Sequence, residues 1–370
     1  MIKVCHIITD KNIGGAGRWL LYYLDFFDRT AFEIKVILPK ESLLSKYISE
    51  KNVKVIELED MKESSFDLKT INKMKSIFLS EKFDIVHTHA SISARIAAKS
   101  AGIKYVVNTK HCMESSGSNV LKKYIKGFIN KTFSDTIIAV SQAVKESMIL
   151  EGTDEKIIKV IYNGILPLKK YEEYEKIQIK QKYGIEQNNI CVTMLARLEP
   201  VKDHETFLRA AAVLAKQHKN IKFIVAGTGS LEAQLKDLAK GLKIEKNVIF
   251  LGFIENVEEI MNITDINVIT SKQEALCLSI IEGMSIGVPA VGTAAGGIPE
   301  VIENGKTGYI AQIGDYEKIA EIISDLLEDE NTYNTFSENC IKTVEEKFLA
   351  KDMAEKIEEL YLKGRKENEK

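Results

Sequence analysis

The chain has 370 residues with a net charge of −2, 45% apolar and 28% charged. That is longer than one core usually serves, so two domains are expected, with the composition of an ordinary globular protein. No apolar run approaches the roughly 18 residues of a spanning helix, and the N-terminus has no secretory-signal pattern, with only Lys3 before a short strand-like run. The charge is uneven: residues 1–165 carry +6 and residues 166–370 carry −8. A basic half can attract an anionic lipid or acceptor, and scattered solvated lysines give the same count. Five cysteines, Cys5, Cys112, Cys191, Cys277 and Cys340, are an odd number without a C-x-x-C pair. They point to a reducing compartment and away from structural zinc.

In chain order, Ile2–Thr9 reads as a buried strand. The turn Gly14-Gly15 follows, then a helical pattern of Trp19, Leu20, Tyr23, Leu24 and Phe27. Glu33–Leu38 is a strand ended by Pro39, Leu43–Glu50 a helix, Val53–Leu58 a strand and Asp67–Lys82 a helix. Asp84–His87 and Tyr105–Asn108 are strands flanking the helix Ser91–Ala101. Thr136–Val140 is a strand, with Ser141 placed to cap the next helix. The pattern restarts after Ile161-Tyr162-Asn163-Gly164, so the linker falls near residues 164–170, followed by a helical segment ending near Tyr183-Gly184. Strands Cys191–Ala196, Ile221–Ala226, Val248–Leu251, Ile266–Thr270 and Pro289–Gly292 then each lead into a helix. This alternation predicts an α/β protein with parallel sheets covered on both faces, and such sheets bind ligands beyond their strand C-termini.

Arg197 and Lys202 lie just beyond the strand Cys191–Ala196. An arginine fork and a lysine point charge suit phosphate oxygens, and together they can stabilise a departing diphosphate. A surface pair with Glu199 or Asp203 is the plain alternative. Gly227-Thr228-Gly229 follows a strand, and Ser230 is placed to cap a helix from Leu231. Such glycines allow backbone to approach phosphate, though a Gly-x-Gly often serves only its turn. Glu274 and Glu282 stand eight apart around an apolar stretch, Ala275 to Ile281. Glu274 falls in a loop and Glu282 about one turn inside a helix from Leu278, where the two carboxylates can take hydroxyls and nearby amides can take phosphate or sugar oxygens. The plain alternatives are a solvated loop charge and an exposed helical carboxylate.

Gly14-Gly15-Ala16-Gly17-Arg18 lacks the G-x-G-x-x-G spacing, which argues against a dinucleotide site and leaves room for a nest around one phosphate. His111 follows the strand Tyr105–Asn108 and can hydrogen-bond a sugar or move a proton; a half-buried structural histidine is as good a reading. His87-Thr88-His89 reads as polar residues at a strand end, since no third metal ligand has suitable spacing. In Asn119–Lys131, apolar pairs alternate with lysines. A helix packed on the sheet with its lysines in water is the favoured reading, and a helix lying on an anionic membrane is the other. No two aspartates stand two apart, so fixed cations take the part a bound metal would play on a diphosphate.

These marks resemble the retaining GT-B glycosyltransferases of family 4 over nearly the whole length. They are Gly14-Gly15, Asp84 to His89, Thr109-Lys110-His111, Ala139-Val140-Ser141, Ile161 to Gly164, Arg197 with Lys202, Gly227-Thr228-Gly229, Glu274 with Glu282, Gly287-Val288-Pro289 and Gly296 to Glu300. The resemblance implies two Rossmann-like domains facing across a cleft. Residues 1–166 would bind acceptor and 167–348 the nucleotide sugar, with 349–370 a helix crossing back and a polar tail. It implies a catalytic set of His111, Arg197, Lys202 and Glu274. It also implies donor contacts from Gly14, Gly15, Arg197, Lys202, Gly227, Gly229, Glu274, Leu276, Cys277, Leu278, Ser279 and Glu282. Glu282 would hold the ribose and Glu274 the donor sugar.

The expected reaction moves a hexose-type sugar from a nucleotide diphosphate, UDP on base rates, to a glycan or lipid-linked glycan in cell-surface polysaccharide synthesis. It needs no cofactor or divalent metal and no nucleic-acid partner. The enzyme is expected in the cytoplasm, with peripheral contact to an anionic membrane at the inner face of the plasma membrane. The absence of an obvious nucleophile favours front-face displacement, with the leaving diphosphate helping to deprotonate the acceptor. A sugar-nucleotide epimerase of the same fold and a non-catalytic binding subunit are the competing readings. Three positions depart from the family pattern: Ala275-Leu276-Cys277 after Glu274, Gly17-Arg18 after the glycine pair, and Lys110 before His111.

Overall fold

The computed structural model describes residues 1–59, 61, 66–113 and 119–368. The chain divides into two units, residues 1–166 with 349–370 and residues 167–348. The first unit contains a parallel sheet of β1 (Ile2–Ile7), β2 (Phe32–Pro39), β3 (Lys54–Leu58), β4 (Ile85–Thr88), β5 (Tyr105–Lys110), β6 (Thr136–Ala139) and β7 (Ile158–Val160), in the order β3-β2-β1-β4-β5-β6-β7. Between the strands run α1 (Gly15–Phe26), α2 (Leu44–Glu50), α3 (Leu68–Glu81), α4 (Ile92–Ser100), α5 (Val120–Phe133) and α6 (Gln142–Leu150). Asp67, Ser91, Asn119 and Ser141 cap α3 to α6, each accepting a backbone N–H from the first turn.

Strand alternation distributes the core. Val4, Val36, Ile85 and Val107 pack with Trp19, Leu20 and Tyr23 of α1. Their neighbours Cys5, Ile37, Val86 and Val106 pack on the other face with Met74 and Phe78 of α3 and Ala94 and Ala97 of α4. Covered on both faces, these strands read as near-continuous apolar runs rather than alternating ones.

The second unit repeats the plan with α7 (Glu173–Lys182), β8 (Ile190–Leu195), α8 (His204–Gln217), β9 (Ile221–Ala226), α9 (Glu232–Gly241), β10 (Val248–Gly252) and α10 (Val257–Asn262). It continues through β11 (Ile266–Ile269), α11 (Leu278–Met284), β12 (Ala290–Thr293), α12 (Ile298–Val301), β13 (Gly308–Ala311), α13 (Tyr316–Glu328) and α14 (Glu330–Lys347). Its order is β10-β9-β8-β11-β12-β13, all parallel. Each sheet reverses direction beside its first strand, between β1 and β4 and between β8 and β11. Loops diverge at such switch points and leave room for ligand.

The last helix, α15 (Ala350–Asn368), belongs to the first unit. The Ala350 amide donates to the Ile165 carbonyl (2.9 Å), and Met353, Ala354, Ile357 and Tyr361 enter the core around Trp19 and Val4. Two edge strands, β7 and β13, were not read from the sequence; both are short and only partly buried, so neither shows as a continuous apolar run. The expected Ser230 cap does not form. Leu231 holds the cap position of α9, and Ser230 instead gives both its amide and its hydroxyl to Glu199.

Candidate active site

In the second unit the chemistry gathers at the β8/β11 switch point. The loop after β8 carries Arg197 and Lys202, and the loop after β11 carries Glu274. The two loops are stitched together by the backbone and by buried hydroxyls. Lys272 N donates to the Val201 carbonyl (2.8 Å), Thr270 Oγ1 to the Asp203 carbonyl (2.8 Å), and Lys272 Nζ pairs with Asp203 (3.2 Å). From β12, Thr293 Oγ1 donates to the Ser271 carbonyl (2.6 Å).

This scaffold places the Lys202 ammonium directly on the Glu274 carboxylate. Their side chains remain 17% and 13% exposed, so the pair is sheltered yet reachable. Glu274 is therefore not a freely solvated loop charge. Gly296 fixes it from behind: its φ is +51°, and a Cβ there would lie 1.9 Å from the Glu274 carbonyl, which also accepts from Gly297 N (2.9 Å). Arg197 is exposed, and among the described residues it makes no ion pair, so the surface pair with Glu199 or Asp203 does not form.

Gly227 and Gly229 have a packing role. Side chains at these positions would strike the carbonyls of Ala196 (2.1 Å) and Leu198 (2.4 Å), and Leu198 N donates to the Thr228 carbonyl (2.9 Å). The glycine turn thus lies against the backbone of the Arg197 loop and sets its path.

Glu282 sits in the first turns of α11 and is only 2% exposed, unlike an ordinary surface helical carboxylate. Leu276, Cys277 and Ser279 are buried and Leu278 half-buried around the helix start. The N-cap residue Cys277 makes no side-chain capping hydrogen bond. Asn267 Nδ2 donates to the Ser279 carbonyl (2.7 Å) and ties α11 to β11. Burial pushes the Cys277 thiol up to about 12, with the Glu274 charge adding to the shift, so it is a packing group and no nucleophile. His204 was missed in the sequence. It opens α8 beside Lys202, is 1% exposed, and is pushed down to about 4 by burial and the Lys202 charge.

In the first unit, His111 lies just past β5 and Gly14-Gly15 just past β1, at the start of α1. A Cβ on Gly15 would meet nothing within 4 Å, so packing does not demand glycine there. Trp19 of α1 meets His111 edge-on, with ring centroids 5.9 Å apart.

Behind His111 runs a chain of hydrogen-bond contacts the sequence did not reveal. Thr109 Oγ1 meets His87 Nε2 (2.6 Å), and His87 Nδ1 meets the Tyr361 hydroxyl (2.5 Å). The hydroxyl meets His6 Nε2 (3.3 Å), His6 Nδ1 meets His89 Nε2 (3.3 Å), and His89 Nδ1 meets His111 Nε2 (2.9 Å). His87 and His89 stand at the end of β4, as expected, and are buried there, 0% and 4% exposed. The nitrogens of His6, His87 and His89 lie within 4.8 Å of one another. The His87 and His89 rings are nevertheless stacked at 15°, and the chain engages their nitrogens, so a hydrogen-bond network describes the cluster better than a metal centre.

Neutral imidazoles each carry one N–H, so the chain has two coherent settings. In one, His111 Nδ1 carries the proton and is a donor; in the other Nδ1 is a bare acceptor. Burial and the Lys110 charge push His111 down to about 3. At neutral pH it is a hydrogen-bonding group rather than a proton store.

The favoured reading of α5 is corrected. Val120, Leu121, Tyr124, Ile125 and Phe128 are exposed, and none of the helix's residues is buried. Its apolar face turns away from the sheet. No described helix is long and apolar enough to cross a membrane.

Residues 13–167 match the family described as Glycosyltransferase Family 4, and residues 175–343 match Glycosyl transferases group 1. Among curated relatives, the N-acetyl-alpha-D-glucosaminyl L-malate synthase of Bacillus anthracis is 30% identical over 80% of this chain and 79% of its own. The chain belongs to glycosyltransferase family 4. This family 4 glycosyltransferase is thus placed in a group of retaining, metal-independent GT-B enzymes. It is also similar to the UDP-Gal:alpha-D-GlcNAc-diphosphoundecaprenol alpha-1,3-galactosyltransferase of Escherichia coli, at 26% identity over 98% of this chain and 97% of that one. The GT-B fold is shared with Anabaena HepE, solved in complex with UDP and glucose (TM-score 0.85, 23% identity, 98% and 99% of the two chains).

Proposed function

We propose that this glycosyltransferase moves a hexose-type sugar, with retention, from a UDP-sugar to a hydroxyl of a glycan or lipid-linked glycan in cell-surface polysaccharide synthesis. The observation that carries the reading is the Lys202–Glu274 pair, held half-sheltered at a switch point beside the exposed Arg197 and the buried Glu282. In this reading Arg197 and Lys202 take the diphosphate, Lys202 exchanging its carboxylate partner for phosphate oxygens. Glu274 is thereby released to the donor sugar, Glu282 holds the ribose, and the amides of residues 276–279 receive donor oxygens. Gly227 and Gly229 act by shaping the Arg197 loop. In the first unit, which carries the acceptor, Gly14-Gly15 leave room for phosphate and His111 hydrogen-bonds the sugar.

The donor class is supported by the Escherichia coli relative, whose name specifies UDP-Gal, and by the solved HepE complex with UDP-glucose. The acceptor class is supported by the diphosphoundecaprenol substrate in the Escherichia coli enzyme's name and by the similar capsular polysaccharide glycosyltransferase CapM of Staphylococcus aureus, 26% identical over 82% of this chain. Five free cysteines suit a cytoplasmic enzyme working at the inner membrane face.

A fixed-cation site predicts that UDP-sugars raise the melting temperature without added metal and that Lys202→Ala largely abolishes the shift. An undiminished shift in Lys202→Ala would move the diphosphate elsewhere. An inverted anomeric product by NMR would overturn the retaining assignment.

A further inference from the structure

Helix α5 is amphipathic in the wrong sense for a helix on a sheet. Its inward side is polar: Lys123 and Lys126 both pair with the buried Glu151 (3.7 and 3.1 Å), and Lys123 also donates to the Leu150 carbonyl (2.8 Å). Asn130 accepts from Arg95 Nη1 (2.9 Å) and donates to Thr153 Oγ1 (2.8 Å). Gly127 lies so near the Gly152 carbonyl that a Cβ would stand 2.1 Å from it. The helix is therefore docked through charges and close backbone contact, without a buried apolar stripe.

Its outward side is apolar. Val120, Leu121, Tyr124, Ile125 and Phe128 fall within about 140° of arc at about 100° per residue. They are 84%, 66%, 73%, 46% and 60% exposed, and Leu150 at the end of α6, beside Lys123, is 71% exposed. Lys122 flanks this face, and Lys131 stands at its C-terminal end, one turn beyond Phe128 and beside Asp154 (3.4 Å).

An exposed apolar stripe edged by lysines suits a lipid interface. The side chains enter the acyl boundary, the tyrosine hydroxyl sits at headgroup level, and the ammonium groups meet anionic headgroups. A second copy of this chain fits less well, because two-fold pairing would bring the lysines beside two identical faces together. We propose that the outer face of α5, with Leu150, docks the enzyme on the surface of an anionic bilayer. This deepens the reading of a membrane-bound acceptor by naming the surface. It rests on that reading only for its purpose, since vesicle binding uses no donor and no turnover.

The test is co-sedimentation of the full chain with vesicles of phosphatidylcholine alone and of phosphatidylcholine with phosphatidylglycerol, at low and high salt. Binding is expected to the anionic vesicles, to weaken with salt, and to fall at least about tenfold in Leu121→Glu/Phe128→Glu. Lys122→Glu should weaken it less and reduce its salt dependence. Unchanged fluorescence of Trp19, buried in the core, shows that each variant remains folded. Failure to bind anionic vesicles, or equal binding by the double variant, overturns the proposal. So does a wild-type dimer in sedimentation velocity that the double variant abolishes while vesicle binding persists, which assigns the face to a second copy. If vesicles bind as expected and no sugar is transferred, the activity reading fails alone.

Discussion

The histidine core of the first unit makes that unit acid-labile by an amount the structure allows one to work out. His6 is 0% exposed and burial pushes it down from 6.5 to about 3. His87 and His89 are driven well below their usual range, first by the same burial and then by neighbouring histidines: His6 and His111 for His87, and His87, His111 and His6 for His89. The ring and hydroxyl groups facing them among the described residues include Trp19, Tyr23, Tyr361, Thr109 and His111, none of them an anion at neutral pH. A base whose folded pKa is depressed supports the fold fully above its unfolded pKa, and that support is lost as pH falls, because only the unfolded chain takes up the proton. With an unfolded value of about 6.5 and a folded value of about 3, His6 alone costs roughly 1 kcal/mol at pH 5.5 and roughly 3 kcal/mol at pH 4.5. His87 and His89 add to that loss in the same direction, against a typical stability of only about 5–15 kcal/mol.

The assay is urea unfolding followed by tryptophan fluorescence at pH 7.5, 6.5 and 5.5. Trp19 is the chain's single tryptophan and packs edge-on against His87 and His89, so the signal reports this unit and not His204 in the other. His6→Gln should reduce the pH slope by about one proton. Equal unfolding free energies at pH 7.5 and 5.5 would refute the reasoning.

Two further outcomes follow from the same geometry. Tyr361→Phe removes the hydroxyl between His87 and His6 and leaves two buried ring nitrogens short of a partner, so urea unfolding at pH 7.5 should show a loss of about 1–3 kcal/mol. Imidazole nitrogen NMR should also show the His111 tautomer uncoupled from His87, and unchanged stability would mean the hydroxyl is not engaged. Gly296→Ala forces a Cβ against the Glu274 carbonyl in left-handed backbone and should displace that carboxylate, cutting sugar transfer by about 100-fold. Full activity in that variant would separate Glu274 from the chemistry.

Much of the second unit's candidate site was legible because its signals are local. Arg197 and Lys202 follow a strand, Glu274 and Glu282 bracket a helix start, and the glycine turns announce themselves by composition. What sequence could not supply was partnership. Lys202 and Glu274 are 72 residues apart and meet only because β8 and β11 are neighbours. Gly227 reads as a phosphate glycine, and only the backbone pressed against it shows what its missing side chain makes room for.

The order of strands and helices, the Rossmann-like class and the turn residues were determined by the sequence itself. Backbone periodicity, capping and glycine conformation act over a few residues and leave their trace there. Tertiary structure decided which way a face turns and what a side chain meets. The α5 sequence favours packing its apolar side on the sheet, until Glu151 and Gly152 claim its lysine side. His6, His87, His89, His111 and Tyr361 are isolated letters along the chain. They become one hydrogen-bonded chain only because parallel strands align their ends and α15 returns to the first sheet, contacts whose energy depends on distance in space and not on separation in sequence.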